Sequence, residues 1–480
     1  MKQVDKVIIL GAGLAGLTLA YKLLKKGIEV EIIEKDNRVG GLMQTFFEDG
    51  FYIDYGPHIY FKHNLPELRD LLGENIIPVN VMYGIGFKNR VISIPLNPIE
   101  AFLELPIHNS CALISSLIWH KLSSGLKGKK DSGKLVNAEK WSIDQFGQAA
   151  YRYFFKDYIP KVMGYPPSQI SSDWGIERDR FYREHNLSKR LPPLIIASLF
   201  NRSRERRTLK FYYPAKGAYQ IICALVDFVE RNGGIIHLNS TIEKVILKGD
   251  TVSGIQCSNG TEPRKWNIEG DIYASTLPLP VLMRLINQRR GSSITDLKKN
   301  EKLSYRSLWL FYFILSRNSL ADKVQIYFPE EKYIFKRIYE PKNLNPHMGE
   351  NGKTAICVEV CYTTGDAISQ MKEEEVKSLI IGGLSDFFRL AEGDILKNWS
   401  VKIPHAYAIY KQGYDLILKN YAHTLFQIEN LVSFGRQGSF RYNFLVDRVM
   451  EAADEVAGFI TSEKAKKEYL LRPEAKSIFF

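Results

Sequence analysis

Three glycines near the N-terminus have the spacing of a loop that binds phosphate groups. They form a G-x-G-x-x-G motif at Gly11, Gly13 and Gly16. In this motif the first glycine allows a tight turn, the second lets a pyrophosphate approach the backbone, and the third lets a helix pack closely on a strand. Glu34 stands 23 residues after Gly11, where its carboxylate can accept hydrogen bonds from ribose hydroxyls. The spacing predicts a site for a dinucleotide.

The elements around these residues have the order that such a site requires. The apolar run Val7–Leu10 predicts a strand that is buried on both faces. The periodicity of Leu14–Lys26 predicts a helix that ends at Gly27, and its N-terminus would offer free N–H groups to the phosphates. Val30–Ile33 predicts a second strand, which ends at Glu34. An ordinary turn between a strand and a helix does not explain this order, so we predict an α/β fold with a Rossmann-like domain.

A second glycine-rich turn follows Glu34. Arg38, Gly40 and Gly41 stand in the sequence KDNRVGGLMQT and add backbone N–H groups near a long dinucleotide. The turn resembles the R-x-G-G segment of flavoproteins related to the amine oxidases, which NAD dehydrogenases usually lack. Gly40 and Gly41 alone could form a plain turn, but their distance from the first motif favours FAD as the cofactor. No motif for a covalent flavin bond is evident, so we expect non-covalent FAD.

The stretch IDYGPHIYF places His58 a few residues after the second glycine turn. With FAD bound nearby, a neutral imidazole there can hydrogen-bond to the cofactor or to a substrate. Its neighbours Tyr55 and Tyr60 would help to exclude water. Without the cofactor motifs, a core histidine bound by backbone groups would be the better interpretation. The prediction that His58 faces the flavin therefore depends on those motifs.

Composition limits the functional classes. The chain has 480 residues, of which 45% are hydrophobic and 25% charged, and its net charge is +12. This balance is typical of soluble globular proteins with more than one structural unit. Basic runs at Asn201–Lys210, His120–Lys130 and Glu463–Arg472 suit anionic ligands or an acidic membrane surface. No nucleic-acid-binding module is evident. We therefore expect an anionic small-molecule substrate, with peripheral membrane contact as an option and no nucleic-acid partner.

The cysteines and the apolar runs bear on the cellular location. Five cysteines are too few and too scattered for a disulfide framework. Cys357 and Cys361 lie on one face of the strand-like run TAICVEVCY without an accompanying histidine, so packing is favoured over metal binding. No signal peptide is evident, and the apolar runs fall short of the ~20 residues of a membrane-spanning helix. We expect a reduced, cytoplasmic protein without a metal site.

Four further motifs, in the right order, resemble those of the UDP-galactopyranose mutases, especially their longer eukaryotic-type form. They are GFYIDYGPHIYF, KDYIPKVMGYPPSQISSDWGIER, FYYPAKGAYQIICAL and GRQGSFRYN. The last motif, Gly435–Asn443, separates this group from the protoporphyrinogen oxidases and monoamine oxidases, which share the first two motifs. By resemblance, the chain is identified as a mutase-like member of the wider flavin amine oxidase and protoporphyrinogen oxidase superfamily.

The resemblance implies a discontinuous FAD-binding domain that is interrupted by substrate domains. The pieces of the FAD-binding domain would be residues 1–72, 209–287 and 398–462. The other parts would be a helical substrate domain at 73–208, a β-sheet substrate domain at 288–397 and a basic C-terminal tail at 463–480. Within the sheet domain, SLWLFYFIL and TAICVEVCY would be strands and EEEVKSLIIGGLSDFF a helix. Residues 233–260 alternate as in a strand meander.

The resemblance also implies the residues of a substrate site. Arg337 and Arg436 match the two arginines that bind a diphosphate in this family, and Tyr407 and Tyr442 match its two diphosphate tyrosines. A planar guanidinium suits this role because it binds phosphate oxygens in pairs. The alternative for each arginine is a surface or ion-paired residue. This alternative is strongest for Arg337, which directly follows Lys336.

The predicted site residues form two groups. The catalytic group comprises His58, Arg337, Arg436, Tyr407 and Tyr442. The group that contacts FAD comprises Gly11, Gly13, Leu14, Ala15, Gly16, Glu34, Lys35, Arg38, Gly40, Gly41, Leu42, Pro57, His58, Val245, Gly435, Arg436 and Asp447. In this group the resemblance assigns Val245 to the adenosine end, through its backbone. Arg178 is a further pocket candidate, and its alternative is an ion pair with Glu177 or Asp173.

The resemblance implies redox-neutral chemistry. In these mutases reduced flavin N5 attacks the anomeric carbon, the diphosphate leaves, and the sugar closes again with a ring of another size. The chain would be a ring-contracting isomerase of a nucleotide- or lipid-diphosphate-linked sugar that acts through a flavin N5–sugar adduct. The alternative is an oxidoreductase of the amine oxidase or protoporphyrinogen oxidase type, and a third interpretation is a flavoprotein that mainly binds a ligand. Paired arginines facing the flavin favour the first, and an apolar or aromatic cage favours the second.

Three departures from the mutase pattern bear on the substrate. Ile94–Asn97 stands where the eukaryotic-type mutases have a Y-P-F-Q-like stretch near the uracil, so the aromatic surface for a base, worth ~1–3 kcal/mol, is absent. The polar run after the R-Y pair reads NFLVDR, in which Asp447 is the candidate flavin contact. The proline that usually follows the tyrosine near Tyr407 is also absent. These differences favour another nucleoside or a substrate without a base.

Overall fold

The structure is a computed structural model that describes residues 4–58, 65–94, 103–113, 115–116, 137–184, 209–259, 262–287 and 303–462. Its strands are β1 (Lys6–Leu10), β2 (Glu29–Ile33), β3 (Thr45–Glu48), β4 (Phe51–Asp54), β5 (Ile76–Val81), β6 (Tyr83–Phe87), β7 (Arg90–Ile94), β8 (Leu209–Pro214), β9 (Ile235–His237), β10 (Ser240–Lys248), β11 (Thr251–Asn259), β12 (Glu262–Ile268), β13 (Ile272–Ser275), β14 (Tyr305–Leu315), β15 (Gln325–Tyr327), β16 (Arg337–Tyr339), β17 (Thr354–Tyr362), β18 (Ile395–Ala408) and β19 (Leu431–Ser433). Its helices include α1 (Leu14–Leu24), α2 (Leu65–Leu72), α3 (Ala138–Ala150), α4 (Tyr158–Met163), α5 (Asp173–Glu184), α6 (Tyr219–Arg231), α7 (Leu279–Asn287), α8 (Pro341–Leu344), α9 (Ala367–Gln370), α10 (Glu373–Phe388), α11 (Tyr414–Phe426), α12 (Gly435–Gly438) and α13 (Val446–Ile460).

A five-stranded parallel sheet carries the N-terminal glycine motif. Its strand order is β19-β13-β1-β2-β9, so β1 lies at its centre between β13 and β2. Helix α1 connects β1 to β2 and packs on α6 and α13, with Leu17, Leu19 and Leu23 fully buried. This is the β-α-β arrangement that the sequence predicts, and it confirms the α/β fold.

A second, seven-stranded sheet has the order β18-β14-β17-β16-β15-β6-β7. Every residue of β14, a long interior strand of this sheet, is buried. Strands β14 and β17 and helix α10 match the two strands and the helix that the sequence predicts for this region. The sheet also includes β6 and β7, which lie in the region that the sequence assigns to helices. The sequence did not indicate β6 as a strand because Gly84 and Gly86 interrupt its β-branched pattern.

Strand β18 crosses the predicted domain boundary at residue 398. It pairs with β14 over most of its length, so residues 398–408 belong to the large sheet and not to the parallel sheet. The sequence of β18 indicates a strand only weakly, because the alternation of apolar and polar residues is interrupted at Pro404 and at a local irregularity in its pairing. The C-terminal part of the parallel sheet begins only at β19.

Small sheets and a buried carboxylate fix the stretch that contains His58. Strands β3 and β4 form a hairpin, and Asp54 at its end is fully buried. Its carboxylate accepts hydrogen bonds from the hydroxyls of Thr45 and Tyr213 and from the backbone N–H of Ala218 at 2.9 Å. The same carboxylate thus joins the β3–β4 hairpin to β8 and to the start of α6. Within the predicted meander at 233–260, β10 and β11 pair with each other, and β12 extends their sheet beyond the predicted range. Strand β9 joins the parallel sheet instead.

Several sequence predictions concern segments outside the described residues. These segments include Tyr60, residues 95–97, the basic run at 120–130, most of the run at 201–210 and the tail at 463–480. Cys357 and Cys361 are buried in β17, which confirms that they pack in the core. Within the part of the chain that the structure describes, no helix is both long enough and apolar enough to cross a membrane.

Candidate cofactor and anion site

The glycine motif forms a tight loop between β1 and α1. A Cβ atom at Gly16 would lie 2.1 Å from the carbonyl oxygen of Gly11, so the close contact of helix and loop requires glycine there. A Cβ atom at Gly11, whose φ is +106°, would lie 2.4 Å from Thr276 Oγ1. Gly13 differs, because nothing lies within 4 Å of the position that its Cβ would take. The loop is therefore closed on the protein side and open at Gly13, as a pyrophosphate requires.

Glu34 supports this loop directly. Its side chain is buried, with Oε2 accepting a hydrogen bond from the Ala12 N–H at 2.9 Å and Oε1 accepting one from the Asp36 N–H at 3.1 Å. Burial raises the pKa of this carboxyl, although both backbone hydrogen bonds oppose the rise. The carboxylate thus holds the backbone of the phosphate loop. Each of its oxygens has a further lone pair for the ribose contact that the sequence predicts.

Two other glycine turns meet the loop. The N–H of Gly40 donates to the carbonyl of Ala12 at 2.8 Å, and Gly13 and Gly40 form an isolated parallel bridge. Gly435 opens α12 with a φ of +79°, and a Cβ atom there would lie 2.9 Å from Ala15 Cβ at the start of α1. The second glycine turn and the C-terminal GRQG signature therefore both lie against the first motif, as a shared cofactor site requires.

The remaining predicted cofactor residues lie at different depths. Leu14 and Ala15 are buried at the start of α1, Leu42 and Pro57 are half-buried, and Asp447 is buried in the first turn of α13. Arg38 lies 4.1 Å from the ring centroid of Tyr219, and Lys35 is exposed in an ion pair with Asp36. The side chain of Val245 packs in the core, so only its backbone is available to an adenosine. The side chain of Arg178 lies outside the described atoms.

The loop makes one prediction about the cofactor. Replacing Gly13 by valine should lower the affinity for FAD about tenfold or more, the equivalent of ~1.4 kcal/mol, because the side chain enters the open side of the loop. The backbone of Gly13 has an ordinary extended conformation, so the fold should tolerate the change. Gly382→Ala is the matched control, since Gly382 also has open space around it but lies on α10. Fluorescence titration of the flavin-free protein with FAD measures the effect, and unchanged affinity would contradict the assignment.

The backbone just before His58 lies against a pair of charged residues. A Cβ atom at Gly56, two residues before it, would lie 3.0 Å from Glu359 Oε1 and 3.7 Å from Arg337 Nη2. Burial and the charges of Arg436 and Arg337 lower the pKa of His58 to about 4, against a smaller opposing hydrogen bond to the backbone of Leu42. The imidazole is therefore neutral near pH 7, as the sequence predicts. The structure brings His58 together with both predicted arginines.

Arg337 belongs to a buried cluster of charges. Its Nε donates to Glu359 Oε1 at 2.8 Å, and its Nη1 donates to Gln325 Oε1 at 3.1 Å. Lys336 Nζ lies 2.8 Å from the other carboxylate oxygen of Glu359. Burial alone raises the pKa of Glu359, but the charges of Arg337 and Lys336 outweigh burial and hold this pKa below its ordinary value. Arg337 is thus an ion-paired residue, but a half-buried one with two guanidinium hydrogens that make no hydrogen bond to Glu359 or Gln325.

Arg436 and the two predicted tyrosines complete the cluster. The ring centroids of Tyr407 and Tyr442 lie 5.3 Å apart, and Arg436 Cζ lies 5.0 Å from the Tyr407 ring centroid. Arg436 Nη2 donates to the carbonyl of Tyr442 at 3.1 Å. Arg436 Nε and His58 Nε2 are both inaccessible to solvent and have no hydrogen-bond partner among the described residues. Such orphaned groups fit a bound polar ligand, as a flavin or a phosphate would be.

Glu359 and Lys336 are parts of the cluster that the sequence did not assign to the site. Glu359 is the single charged residue of TAICVEVCY, a run that otherwise reads as a buried strand. A lone carboxylate in such a strand is a usable signal, since buried charges are normally paired. Lys336 gave no signal of its own, because a lysine beside an arginine normally indicates an exposed surface.

The lowered pKa of His58 predicts a dependence of stability on pH. In the unfolded chain the pKa of this histidine lies near its ordinary value of 6.5, and in the folded chain it lies at about 4. Between pH 6.5 and about pH 4 the unfolded chain therefore binds more protons than the folded chain. The folded state should therefore lose stability as the pH falls through this window. Above pH 6.5 His58 is neutral in both states and should not change the stability. Thermal unfolding of flavin-free protein from pH 7.5 to pH 4.5 measures the effect. His58→Gln should flatten the profile relative to the exposed-site control His423→Gln, and equal profiles would refute the prediction.

The chain resembles known proteins in sequence and in fold. The family model described as flavin containing amine oxidoreductase matches residues 14–432. Zeta-carotene desaturase of Arabidopsis thaliana is 23% identical over 450 residues, covering 85% of this chain and 76% of the desaturase. Protoporphyrinogen oxidase 2 of the same plant is 25% identical over 189 residues, which span only 36% of each chain. A solved structure of reduced UDP-galactopyranose mutase superposes with a TM-score of 0.75 at 20% identity, covering 96% of this chain and 97% of the mutase.

These likenesses differ in what they support. The mutase structure is similar in fold. At 20% sequence identity, this similarity supports the fold and not a shared reaction. The two sequence relatives are oxidoreductases by name, so the sequence comparisons do not support a mutase over an oxidase. The family match shows FAD as the cofactor.

Proposed function

Since the chain belongs to the family of flavin containing amine oxidoreductases and is an FAD-dependent enzyme, we propose that it isomerises a sugar linked to a diphosphate. The observation that carries this proposal is the cluster of Lys336, Arg337 and Arg436 beside His58. An enzyme that accepts hydride from an apolar substrate has no evident use for such a cluster.

The charge of the cluster supports a diphosphate. Three cations, Lys336, Arg337 and Arg436, accompany one carboxylate, Glu359, and His58 is neutral, so two positive charges remain. A diphosphate esterified at both ends carries about two negative charges, one per phosphodiester-like group. Binding would neutralise the cluster, and the low dielectric around it would strengthen each contact.

The residues of the chain have separable roles under this proposal. Bound FAD would supply the nucleophilic or redox-active nitrogen, and the protein would supply orientation and charge. Arg337 and Arg436 would hold the diphosphate and stabilise the negative charge that it gains as it leaves the sugar. His58 would present a neutral nitrogen, Nε2, on the cofactor side of the cluster. The similarity in fold to a UDP-galactopyranose mutase supports a sugar as the other half of the substrate.

An oxidoreductase is the second candidate. The names of the sequence relatives favour it, and so does the aromatic surround of Tyr442, whose ring centroid lies 6.2 Å from that of Trp174 and 6.4 Å from that of Tyr410. An aromatic surround suits a hydrophobic substrate such as a polyene or a macrocycle. The charged and the aromatic walls of the site therefore favour different reactions, and product analysis separates them.

The deciding experiment is a turnover panel with the FAD-loaded enzyme. UDP-galactose, UDP-glucose, GDP-mannose and undecaprenyl-diphosphate-linked sugars are incubated with chemically reduced enzyme without oxygen, and ring isomers are separated by chromatography. The proposal expects a new ring isomer from at least one diphosphate-linked sugar and no consumption of an electron acceptor. Substrate-dependent oxygen uptake with polyene or porphyrinogen substrates, together with no ring isomer, would replace the proposal by the second candidate. Activity confined to lipid-linked sugars would also support contact with a membrane surface.

A further inference from the structure

We propose that Lys336 is a positioning residue that makes Tyr407 a hydrogen-bond donor to the anionic substrate. The inference rests on the proposed function, since it concerns the same anion site. Nothing in the resemblance assigns Lys336, and it is the least exposed of the three cations in the cluster, with 4% of its side chain accessible.

Lys336 contacts two oxygen atoms inside the protein, one as an ion pair and one through a hydrogen bond. Its Nζ lies 2.8 Å from Glu359 Oε2 and 2.7 Å from the hydroxyl oxygen of Tyr407. Burial lowers the pKa of Lys336, but the charge of Glu359 outweighs burial and keeps the pKa above its ordinary value. The ammonium group is therefore charged, and it has no lone pair with which to accept a hydrogen bond.

The direction of the hydrogen bond to Tyr407 follows from this chemistry. Because an ammonium group only donates, the Tyr407 oxygen must be the acceptor and the single phenolic hydrogen must point elsewhere. Among the described residues, the Tyr407 hydroxyl accepts this hydrogen bond and donates none. Arg436 Cζ lies 5.0 Å and Lys336 Nζ 4.2 Å from the centroid of the same ring. The phenol thus stands between two cations with its hydrogen free for an anion.

An irregularity in strand β18 positions Tyr407 beside Lys336 and Arg436. In the pairing of β18 with β14, Ile403 lies opposite Leu308 and Tyr407 opposite Arg306, so three residues on β18 face one on β14. His405 at the centre of this irregularity has a φ of +55°, and bulges of this kind commonly re-aim a side chain beside an active site. Gln437 Nε2 donates to the His405 carbonyl at 2.8 Å. Since Gln437 directly follows Arg436, the short helix α12 carries the arginine and also contacts the irregular strand.

The competing explanation is that Lys336 only neutralises Glu359. In that case its removal would weaken the fold and leave anion binding to Arg337 and Arg436. A double-mutant cycle separates the two explanations, because positioning makes the effects of Lys336 and Tyr407 depend on each other.

The experiment measures the affinity of the FAD-loaded enzyme for inorganic pyrophosphate by calorimetry. Lys336→Met and Tyr407→Phe should each weaken binding about tenfold, because each variant loses the same hydrogen bond from the Tyr407 hydroxyl to the charged ligand. The double variant should also lose about tenfold, and not the hundredfold that independent effects would give. Lys332→Met is the matched control, because Lys332 also lies over a tyrosine ring, at 4.7 Å, and pairs with a carboxylate at an exposed site.

The outcomes separate this inference from the proposed function. Additive losses, or unchanged pyrophosphate affinity with only a lower Tm, would overturn the role of Lys336 and leave the proposed function in place. No measurable pyrophosphate binding by the wild-type enzyme would overturn both. Equal losses in the two single variants and the double variant, with Lys332→Met unaffected, would support the inference.

Discussion

Replacing Arg436 by methionine should weaken the binding of pyrophosphate to the FAD-loaded enzyme about a hundredfold. The guanidinium lies beside Tyr407 and Tyr442, and its Nε has no partner among the described residues, so it has capacity for an anion. Truncating one member of a buried, charge-assisted contact costs ~2–5 kcal/mol, and ~1.4 kcal/mol corresponds to a factor of ten in affinity. Methionine keeps much of the apolar stem, so packing should change little.

Two variants control this experiment. Arg231→Met removes an arginine from an exposed pair with Asp227 on α6 and should leave pyrophosphate affinity unchanged. Arg436→Lys keeps the charge and loses the fork, so it should recover only part of the affinity. An Arg436→Met enzyme that binds pyrophosphate as well as the wild type would show that the arginine is structural, and the proposed diphosphate site would then be wrong.

Replacing Glu359 by glutamine should lower the free energy of unfolding by ~3–5 kcal/mol, because it leaves buried cations without their counter-ion. Glu359 is fully buried, and both Lys336 and Arg337 contact its carboxylate. Glutamine has nearly the same shape, so the loss would report charge and not volume. Urea unfolding of the two proteins at pH 7 measures the difference.

The same variant has a defined dependence on pH. The pKa of Glu359 in the folded protein lies below its ordinary value of 4.5, so its contribution is complete above that pH and is lost as the pH falls through the folded-state value. The difference between wild type and Glu359→Gln should therefore stay constant from pH 8 to pH 5 and shrink in stronger acid. Glu374→Gln, at an exposed pair with Lys377, should change stability by less than ~0.5 kcal/mol. A loss of similar size in both variants would contradict the buried charge cluster.

The cofactor loop could be predicted because its signals are local. Gly11, Gly13, Gly16 and Glu34 lie within one β-α-β unit, and the physics of a turn, a helix start and a strand end fixes their relation. The prediction for His58 depended only on the presence of this loop, since His58 follows the second glycine turn closely in the sequence. Local residue types and spacing were therefore enough to predict the strand, the helix and the second strand that carry the cofactor loop.

The anion cluster could be predicted only in part because its contacts are not local. Arg337 lies directly opposite Glu359 in the pairing of β16 with β17, and no local pattern specifies which residue of one strand faces which residue of another. The placement of Tyr407 depends on the irregularity at His405, which likewise has no clear sequence signature. Resemblance to a family supplied the arginines and tyrosines, and the structure added Glu359 and Lys336.

If diphosphates bind beside the flavin, an anion at that site should affect the cofactor, and a titration detects this. Inorganic pyrophosphate is added to the FAD-loaded enzyme while the visible flavin absorbance and the heat of binding are recorded on the same samples. A charge that binds among Arg337, Arg436 and Tyr407 should shift the flavin bands with the same Kd that calorimetry gives. Saturable binding that leaves the flavin spectrum unchanged would place the anion elsewhere and contradict the account.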